Sequence, residues 1–554
     1  MLHRPRIILL LRVILHRVRI ILLLLLAAGC KPGQDNRLFT RLDKDATGID
    51  FQNTLFDGEA LNVLNYIYFY NGGGVAIGDI NNDGLPDILF TGNMVHNRLF
   101  LNKGNFTFED ITEKSGLAAP SVEGWATGAT MVDINGDGKM DIYICRSADA
   151  NPARRRNLLF INNGPASGAD PHAAPTFSEK AAEYGLADEG FSTQAAFFDY
   201  DKDGDLDCFL INHSLHQYTT GAIENPGWRK ESRPAFECKL LRNDWNDSLH
   251  HPVYTDVSAQ AGIHSDVLTF GLGLAISDLN NDGWPDIYVS NDFNEPDYLF
   301  LNNGPSHTFT ESLANCMDHT SLYSMGNDAA DFNNDGLVDL MTLDMLPEDN
   351  HTQKMHSGAE NFNKFQQLFN HGFYYQYSRN MLQKNNGDGT FSEIGQLAGV
   401  SNTNWSWSAL FSDFDNDGNK DLLITNGYVR DYTDMDFLKY SADNAMHNNT
   451  TDKEAAIKDA IAKMPQSPDK SYLFRNNGNA SPQAAGDGHD GPVFTRVNKE
   501  WGLDQQTVSA GAAYVDLDND GALDLVINNT NEYAGIYRNN ARSLPNHHYI
   551  KIRL

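Results

Sequence analysis

Seven stretches of this 554-residue chain repeat the arrangement Asp-x-Asp/Asn-x-Asp-Gly-x-x-Asp. They are DINNDGLPD, DINGDGKMD, DYDKDGDLD, DLNNDGWPD, DFNNDGLVD, DFDNDGNKD and DLDNDGALD. Positions 1, 3, 5 and 9 of each carry an oxygen side chain. In order these are Asp79, Asn81, Asp83 and Asp87; Asp133, Asn135, Asp137 and Asp141; Asp199, Asp201, Asp203 and Asp207; and Asp278, Asn280, Asp282 and Asp286. Asp331, Asn333, Asp335 and Asp339; Asp413, Asp415, Asp417 and Asp421; and Asp516, Asp518, Asp520 and Asp524 complete the set. Carboxylates two residues apart, followed by a glycine that permits a sharp bend, wrap oxygens around one hard cation. Position 7 adds a backbone carbonyl, and water completes the roughly 6–8 oxygens that Ca²⁺ takes. Mg²⁺ fits less well, because a flexible loop does not impose a tight octahedron. No His or Cys stands in a ligand position, which disfavours zinc, copper and iron. An EF-hand would need Glu at position 12, where Phe90, Ile144 or another strand-type residue stands. The expected cofactor is therefore Ca²⁺, up to seven ions. Metal-free Asp/Asn-Gly turns are the alternative, but an empty loop crowds carboxylates that repel unless some protonate. The four copies with Asn at position 3 carry one charge fewer and are expected to bind more weakly.

The elements that position these loops repeat with them. Spacings of 54, 66, 79, 53, 82 and 103 residues separate successive copies, the longer ones carrying insertions. One match has a chance of roughly 10⁻⁵ per position at ordinary residue frequencies, so seven are not accidental. Small and apolar residues precede each loop, as in Gly72-Gly-Gly-Val-Ala-Ile-Gly, and short β-like runs such as Ile142-Tyr-Ile follow. Then come Leu-Phe-x-Asn-x-Gly stretches, as at Leu299–Gly304, and a Phe-bearing segment at Phe108, Phe177, Phe309, Phe391 or Phe494. Asn-Gly between apolar runs is a hairpin signal. Each unit reads as a four-stranded antiparallel blade. Seven such units suit radial closure, which leaves few exposed sheet edges. The predicted fold is all-β: a seven-bladed β-propeller over residues 51–540, with some helical insertions. Phe51-Gln-Asn-Thr-Leu resembles the unit-ending segments and is expected to supply the outer strand of the last blade.

Composition sets the compartment and the partners. Asp and Glu number 73 against 42 Lys and Arg, for a net charge of −31. This disfavours nucleic acid and anionic head groups, so membrane contact is expected only through a lipid anchor. Five arginines precede the apolar run Ile20–Leu26 and then Ala27-Ala28-Gly29-Cys30. Residues 1–29 read as a signal peptide, with Cys30 placed for lipidation as in a bacterial lipobox and 30–50 as a linker. The expected location is extracytoplasmic: the bacterial cell envelope, as an outer-membrane lipoprotein, or secretion. Cys145, Cys208, Cys238 and Cys316 show no CxxC spacing; Cys145 and Cys208 read as core residues, and a Cys208–Cys238 bridge is left open.

The repeats resemble FG-GAP (VCBS-type) repeats, the blade unit of the integrin α-subunit propeller. Phe69-Tyr70-Asn71-Gly72-Gly73-Gly74 and Asn426-Gly-Tyr-Val-Arg-Asp431 narrow the resemblance to bacterial lipoproteins related to cartilage acidic protein. His547-His-Tyr-Ile-Lys-Ile-Arg-Leu554 resembles the start of the ASPIC/UnbV module often found there, so 541–554 read as the beginning of a truncated one. The resemblance implies an extracytoplasmic binding or adhesion role and does not supply a ligand; a protein or glycan ligand of unknown identity and a monomer are expected. Recognition is expected in insertions near 213–250, 345–379 and 428–470, the last with a helix from Thr451. Phe373, Tyr374, Tyr375, Tyr377, Trp405 and Trp407 are candidate stacking groups, although packing between blades is favoured for the two tryptophans. The alternative is a calcium-dependent polysaccharide lyase, with His213, His216, His250, His251 and Arg154–Arg156 as candidates by type. Solvated surface charge is the favoured reading of the arginines. No nucleophile elbow, zinc-protease helix or phosphate loop is found, and the expected answer is a binder, not an enzyme.

Overall fold

A computed structural model describes residues 37–58, 61–118, 124–165, 170–215, 226–356, 362–447, 453–478, 493–543 and 549. The signal peptide, Cys30, His216 and all but Tyr549 of the last eight residues lie outside the described residues.

Each repeat folds into one four-stranded antiparallel sheet, and there are seven. Blade 1 comprises Val75–Gly78, Asp87–Phe90, Arg98–Asn102 and Phe108–Asp110, paired in sequence order from the axis outward. Blades 2 to 6 repeat this order, with inner strands beginning at Trp125, Ser192, Gly271, Asn327 and Ser406. The second strands are wholly buried, as in Asp87–Phe90 and Asp421–Asn426, because blades cover them on both faces. Apolar clusters fill the gaps between neighbours: Leu89 and Leu99 of blade 1 pack with Ile142, Ile144 and Phe160 of blade 2.

The small residues before each loop are where the inner strands crowd the axis. A Cβ on Gly326 would lie 1.9 Å from the Trp407 carbonyl oxygen of the next blade, and one on Gly74 would lie 2.9 Å from that of Thr127. Only glycine fits there.

The ring closes differently from expectation. Blade 7 consists of Ser509–Val515, Asp524–Asn529 and Gly535–Asn539, and its outer strand is Phe39–Arg41, in register Phe39 to Asn539 and Arg41 to Tyr537. Phe51 makes no such strand: bridges from Gln52 to Tyr533 and Asn53 to Thr530 hold that stretch, and Phe51 stacks on Phe90 of blade 1. The propeller therefore begins inside the segment read as a linker. Phe39-Thr-Arg41 matches Phe494-Thr-Arg496, the outer strand of blade 6, residue for residue. The four cysteines are buried and free. Cys208 packs with Cys145 in one inter-blade cluster and Cys238 belongs to another, so no Cys208–Cys238 bridge forms.

Candidate metal loops and the opposite face

The seven loops share one hydrogen-bond scheme. The first Asp accepts the position-5 backbone N–H on Oδ1, at 2.9–3.1 Å in every loop. Its Oδ2 accepts the N–H of the loop glycine, at 2.7–3.1 Å. Position 4 sits at positive φ in all seven, for instance 55° at Asn82 and 70° at Gly136. The bend that turns the oxygens inward is thus fixed by the chain's own bonds.

The position-9 aspartates hold a different place. Asp87, Asp141, Asp207, Asp286, Asp339, Asp421 and Asp524 are at most 1% exposed. Oδ2 of each accepts the position-2 N–H of its own loop, at 2.9–3.3 Å. Oδ1 accepts the backbone N–H of an Asn that ends or lies within the third strand, at 2.7–2.9 Å. Burial, helped by the neighbouring loop carboxylates, pushes their pKa up. It reaches about 8 at Asp87, Asp207, Asp421 and Asp524, about 7 at Asp141 and Asp286, and about 6 at Asp339.

The donor set fits a hard cation, and the fit differs between loops. In the three copies with Asp at position 3, carboxylate oxygens of Asp199, Asp201 and Asp203, of Asp413, Asp415 and Asp421, and of Asp516, Asp518 and Asp524 converge within 4.8 Å. Two buried oxygens of the third loop, Oδ1 of Asp201 and of Asp205, have no hydrogen-bond partner. In the first, fourth and fifth loops the position-3 amide (Asn81, Asn280 or Asn333) instead donates to the position-5 carboxylate at 3.0 Å. Lys139 reaches Asp137 at 2.8 Å in the second.

The third-strand asparagines have a role that sequence reading missed. Asn102, Asn162, Asn302, Asn385, Asn476 and Asn539 each donate to the position-8 carbonyl of their own loop and to the position-2 carbonyl of the preceding blade's loop. At the rim, position-4 side chains bond the loop glycine carbonyl of the next blade: Asn82 to Gly138, Lys202 to Gly283, Asn334 to Gly418, Asn416 to Gly521 and Asn519 to Gly84. The loops are thus tied at six of the seven blade junctions; between blades 2 and 3, Asn243 donates instead to the Leu206 carbonyl and the Tyr254 hydroxyl of its own blade. The recurring Asn of Leu-Phe-x-Asn was the available signal, but it reads equally as a hairpin residue.

The loops join first to second strands, so strand alternation puts the connections from second to third strands on the opposite face. That face carries helices Asn350–His356, Phe362–Asn370, Met435–His447 and Lys453–Lys463; residues 451–452, where the last was expected to start, lie outside the described residues. An aromatic plug closes the axis there. Tyr70 of the first signature stretch meets Tyr428 of the second, ring centres 5.2 Å apart, and Trp405 stacks on Tyr428 at 3.9 Å. Trp407 donates to the Gly427 carbonyl at 2.8 Å. Both tryptophans thus pack within the plug. Phe373 is buried and Tyr374 half-buried, while Tyr375 and Tyr377 stay exposed.

The candidate catalytic groups among the described residues do not converge. His213 is buried in the plug, bonded to Ser147 at 2.8 Å, and burial lowers its pKa to about 4. His250 and His251 sit at the outer hairpin of blade 3, on the loop face. Arg155 donates to the backbone of Asp149, Glu189 and Gly190, while Arg154 and Arg156 pair with Asp149 and Glu189.

Residues 79–144, 278–342 and 373–424 match the family described as FG-GAP-like repeat, the first two each spanning two of the loops and the third spanning one. The chain carries FG-GAP-like repeats. This FG-GAP propeller is 27% identical to cartilage acidic protein 1 of Xenopus tropicalis over 278 residues, 48% of this chain and 39% of that protein. It is 23% identical to the Mus musculus protein of the same name over 404 residues, 64% of this chain and 57% of the relative. It thus spans about half the length of these curated relatives. Among solved structures, an Agrocybe aegerita lectin aligns with TM-score 0.35 and 14% identity, covering 77% of this chain and 81% of the lectin. A Bacillus licheniformis rhamnogalacturonan lyase aligns with TM-score 0.37 and 10% identity, covering 85% and 72%. No helix among the described residues is long and apolar enough to cross a membrane.

Proposed function

We propose that this chain is an exported calcium-binding propeller that serves as a monomeric binding and adhesion scaffold for a protein or glycan at the cell envelope. The observation that carries the reading is the belt: seven pre-bent, oxygen-lined loops on one face, tied at six of the seven blade junctions, while the insertions occupy the other. The buried position-9 carboxylates, with pKa pushed up to between about 6 and 8, call for a proton or a cation beside them. Residues at positions 1, 3, 5 and 9, with the position-7 carbonyl, would hold Ca²⁺, which supplies the positive charge that lets these acids stay ionised together. Asp199, Asp413 and Asp516 head the three loops whose oxygens already converge. A site with Kd near 10⁻⁴ M contributes roughly 1.4 kcal/mol at about 1 mM calcium. Seven independent sites would contribute on the order of 10 kcal/mol, comparable to the stability of a whole domain.

A binding role is supported by the separation of His213 from His250, His251 and the self-satisfied arginines, which leaves no shared centre for uronate chemistry among the described residues. The test is thermal unfolding of the mature chain in millimolar Ca²⁺, in millimolar Mg²⁺ and in EDTA, with calorimetric stoichiometry. Expected are a melt lower by many degrees in EDTA, little rescue by Mg²⁺, and several ions bound per chain. An unchanged melt in EDTA would falsify the calcium reading. Envelope fractionation of a Cys30→Ser variant tests the anchor: a protein that stays with the membrane would reject it.

A further inference from the structure

The long connections of blades 5 and 6 lie side by side on the face opposite the belt, and a cavity of about 600 Å³ opens between them against the plug. Its size is that of small-molecule sites, about 300–1,000 Å³. One wall is aromatic: Phe293, Tyr323, Trp405 and Tyr432. These rings are held before any ligand arrives, Trp405 by its stack on Tyr428 and by Tyr432 edge-on at 5.9 Å. The other wall is polar and equally fixed. The Asn404 amide donates to Asp469, and its Oδ1 accepts the Glu348 N–H at 2.8 Å. Gln353 donates to the Pro347 carbonyl at 2.8 Å. Each oxygen of Asp469 takes one of these local bonds, from Asn404 and from the Lys470 N–H at 2.7 Å, and a carboxylate has sites for about four.

The charge is one-sided. No Lys or Arg is among the described lining residues, and the lining imidazole of His356 is bound to Asp431 at 2.8 Å. Asp349 and Asp469 add negative charge. A uronate or phosphate would meet carboxylates with no free cation to receive it. A ligand with flat C–H faces and many uncharged hydroxyls matches both walls, the faces against the rings and the hydroxyls donating to the acids.

We infer that this cavity binds a neutral saccharide, its ring against Trp405 and Tyr432 and its hydroxyls on Asp469 and Asp349. The inference rests on the binding-scaffold reading above and names the ligand class of that scaffold. The test is titration calorimetry of the mature chain in calcium with lactose, maltose, cellobiose and N-acetylglucosamine, against trigalacturonate. At least one neutral sugar is expected to bind saturably, and trigalacturonate at least tenfold more weakly. Thr352→Trp, which fills the cavity, is expected to weaken binding at least tenfold. Asp349→Asn, which keeps the side-chain oxygen that accepts the Thr352 N–H and removes the charge, is expected to weaken it several-fold. Silence from all the neutral sugars, tighter binding of trigalacturonate, or binding undiminished in both variants would overturn the inference. A chain whose melt needs calcium but which binds no sugar keeps the scaffold and loses the cavity's role. One that binds the sugar yet melts alike in EDTA does the reverse.

Discussion

Replacing Asn302 with Leu measures how much the belt contributes. Asn302 is 3% exposed. Its amide donates to the Tyr200 carbonyl of blade 3 at 2.9 Å and to the Pro285 carbonyl at 3.2 Å, and its Oδ1 accepts the Gly304 N–H at 2.9 Å. Leucine has nearly the same shape and removes all three bonds while leaving their backbone partners buried. Each orphaned partner costs about 1–3 kcal/mol. The Gly304 N–H is buried as well, so three orphaned partners together cost about 3–9 kcal/mol. Against the roughly 5–15 kcal/mol that holds a typical domain, that is a large fraction. Urea unfolding of the mature chain in saturating calcium reads it as a lowered midpoint with an unchanged slope. Asn303→Ala, one residue on and exposed, is the control and should change stability by less than about 0.5 kcal/mol. A cost below about 1 kcal/mol for Asn302→Leu would mean that water replaces the lost bonds, and the belt would then be a consequence of blade packing and not a cause of closure.

Three further outcomes are expected. Thr40→Pro should cost about 1–3 kcal/mol, because Leu38 and Leu42 bond the facing strand and alternation places the Thr40 N–H in the same ladder; hydrogen exchange of blade 7 should rise, and an unchanged pattern would reject the latch. Asn280→Asp should tighten calcium at its loop and Asp201→Asn loosen it, each several-fold by calorimetry, because position 3 sets the charge of the site. The His356–Asp431 pair should make stability depend on pH. The hydrogen bond to Asp431 raises the His356 pKa, so its contribution is full below about 6.5 and is lost as pH rises through the raised value. Burial works to raise the Asp431 pKa, but bonds from His356 and Thr433 outweigh it and hold it below its ordinary value. Its contribution is therefore present above about pH 4 and lost as pH falls through the lowered value. The urea midpoints of wild type and His356→Phe should converge as pH rises above about 6.5 and through the raised His356 value; a constant gap would contradict the pairing.

The blade, its loop and the number of copies were legible in the chain because each is local. A nine-residue pattern with Asp and Gly at fixed places specifies its own bend, and apolar runs beside it specify strands. The inner glycines were legible for the same reason: closure crowds the axis at every repeat, so small residues recur there. The latch was misplaced to Phe51 because a three-residue outer strand has no periodicity of its own, and any Phe beside a polar residue imitates it. The match of Phe39-Thr-Arg41 to Phe494-Thr-Arg496 was present, but strand pairing across almost the whole chain decides which Phe closes the ring.

Sequence alone determined the repeat unit and the oxygen-rich chemistry of its loops, since both depend on neighbours a few residues apart. Tertiary structure alone decided three things: that the third-strand asparagines tie one loop to the next, that Tyr70 meets Tyr428 in a plug, and that two insertions of blades 5 and 6 enclose a cavity. Those contacts join residues up to several hundred positions apart. Only the closing of the ring brings them within reach.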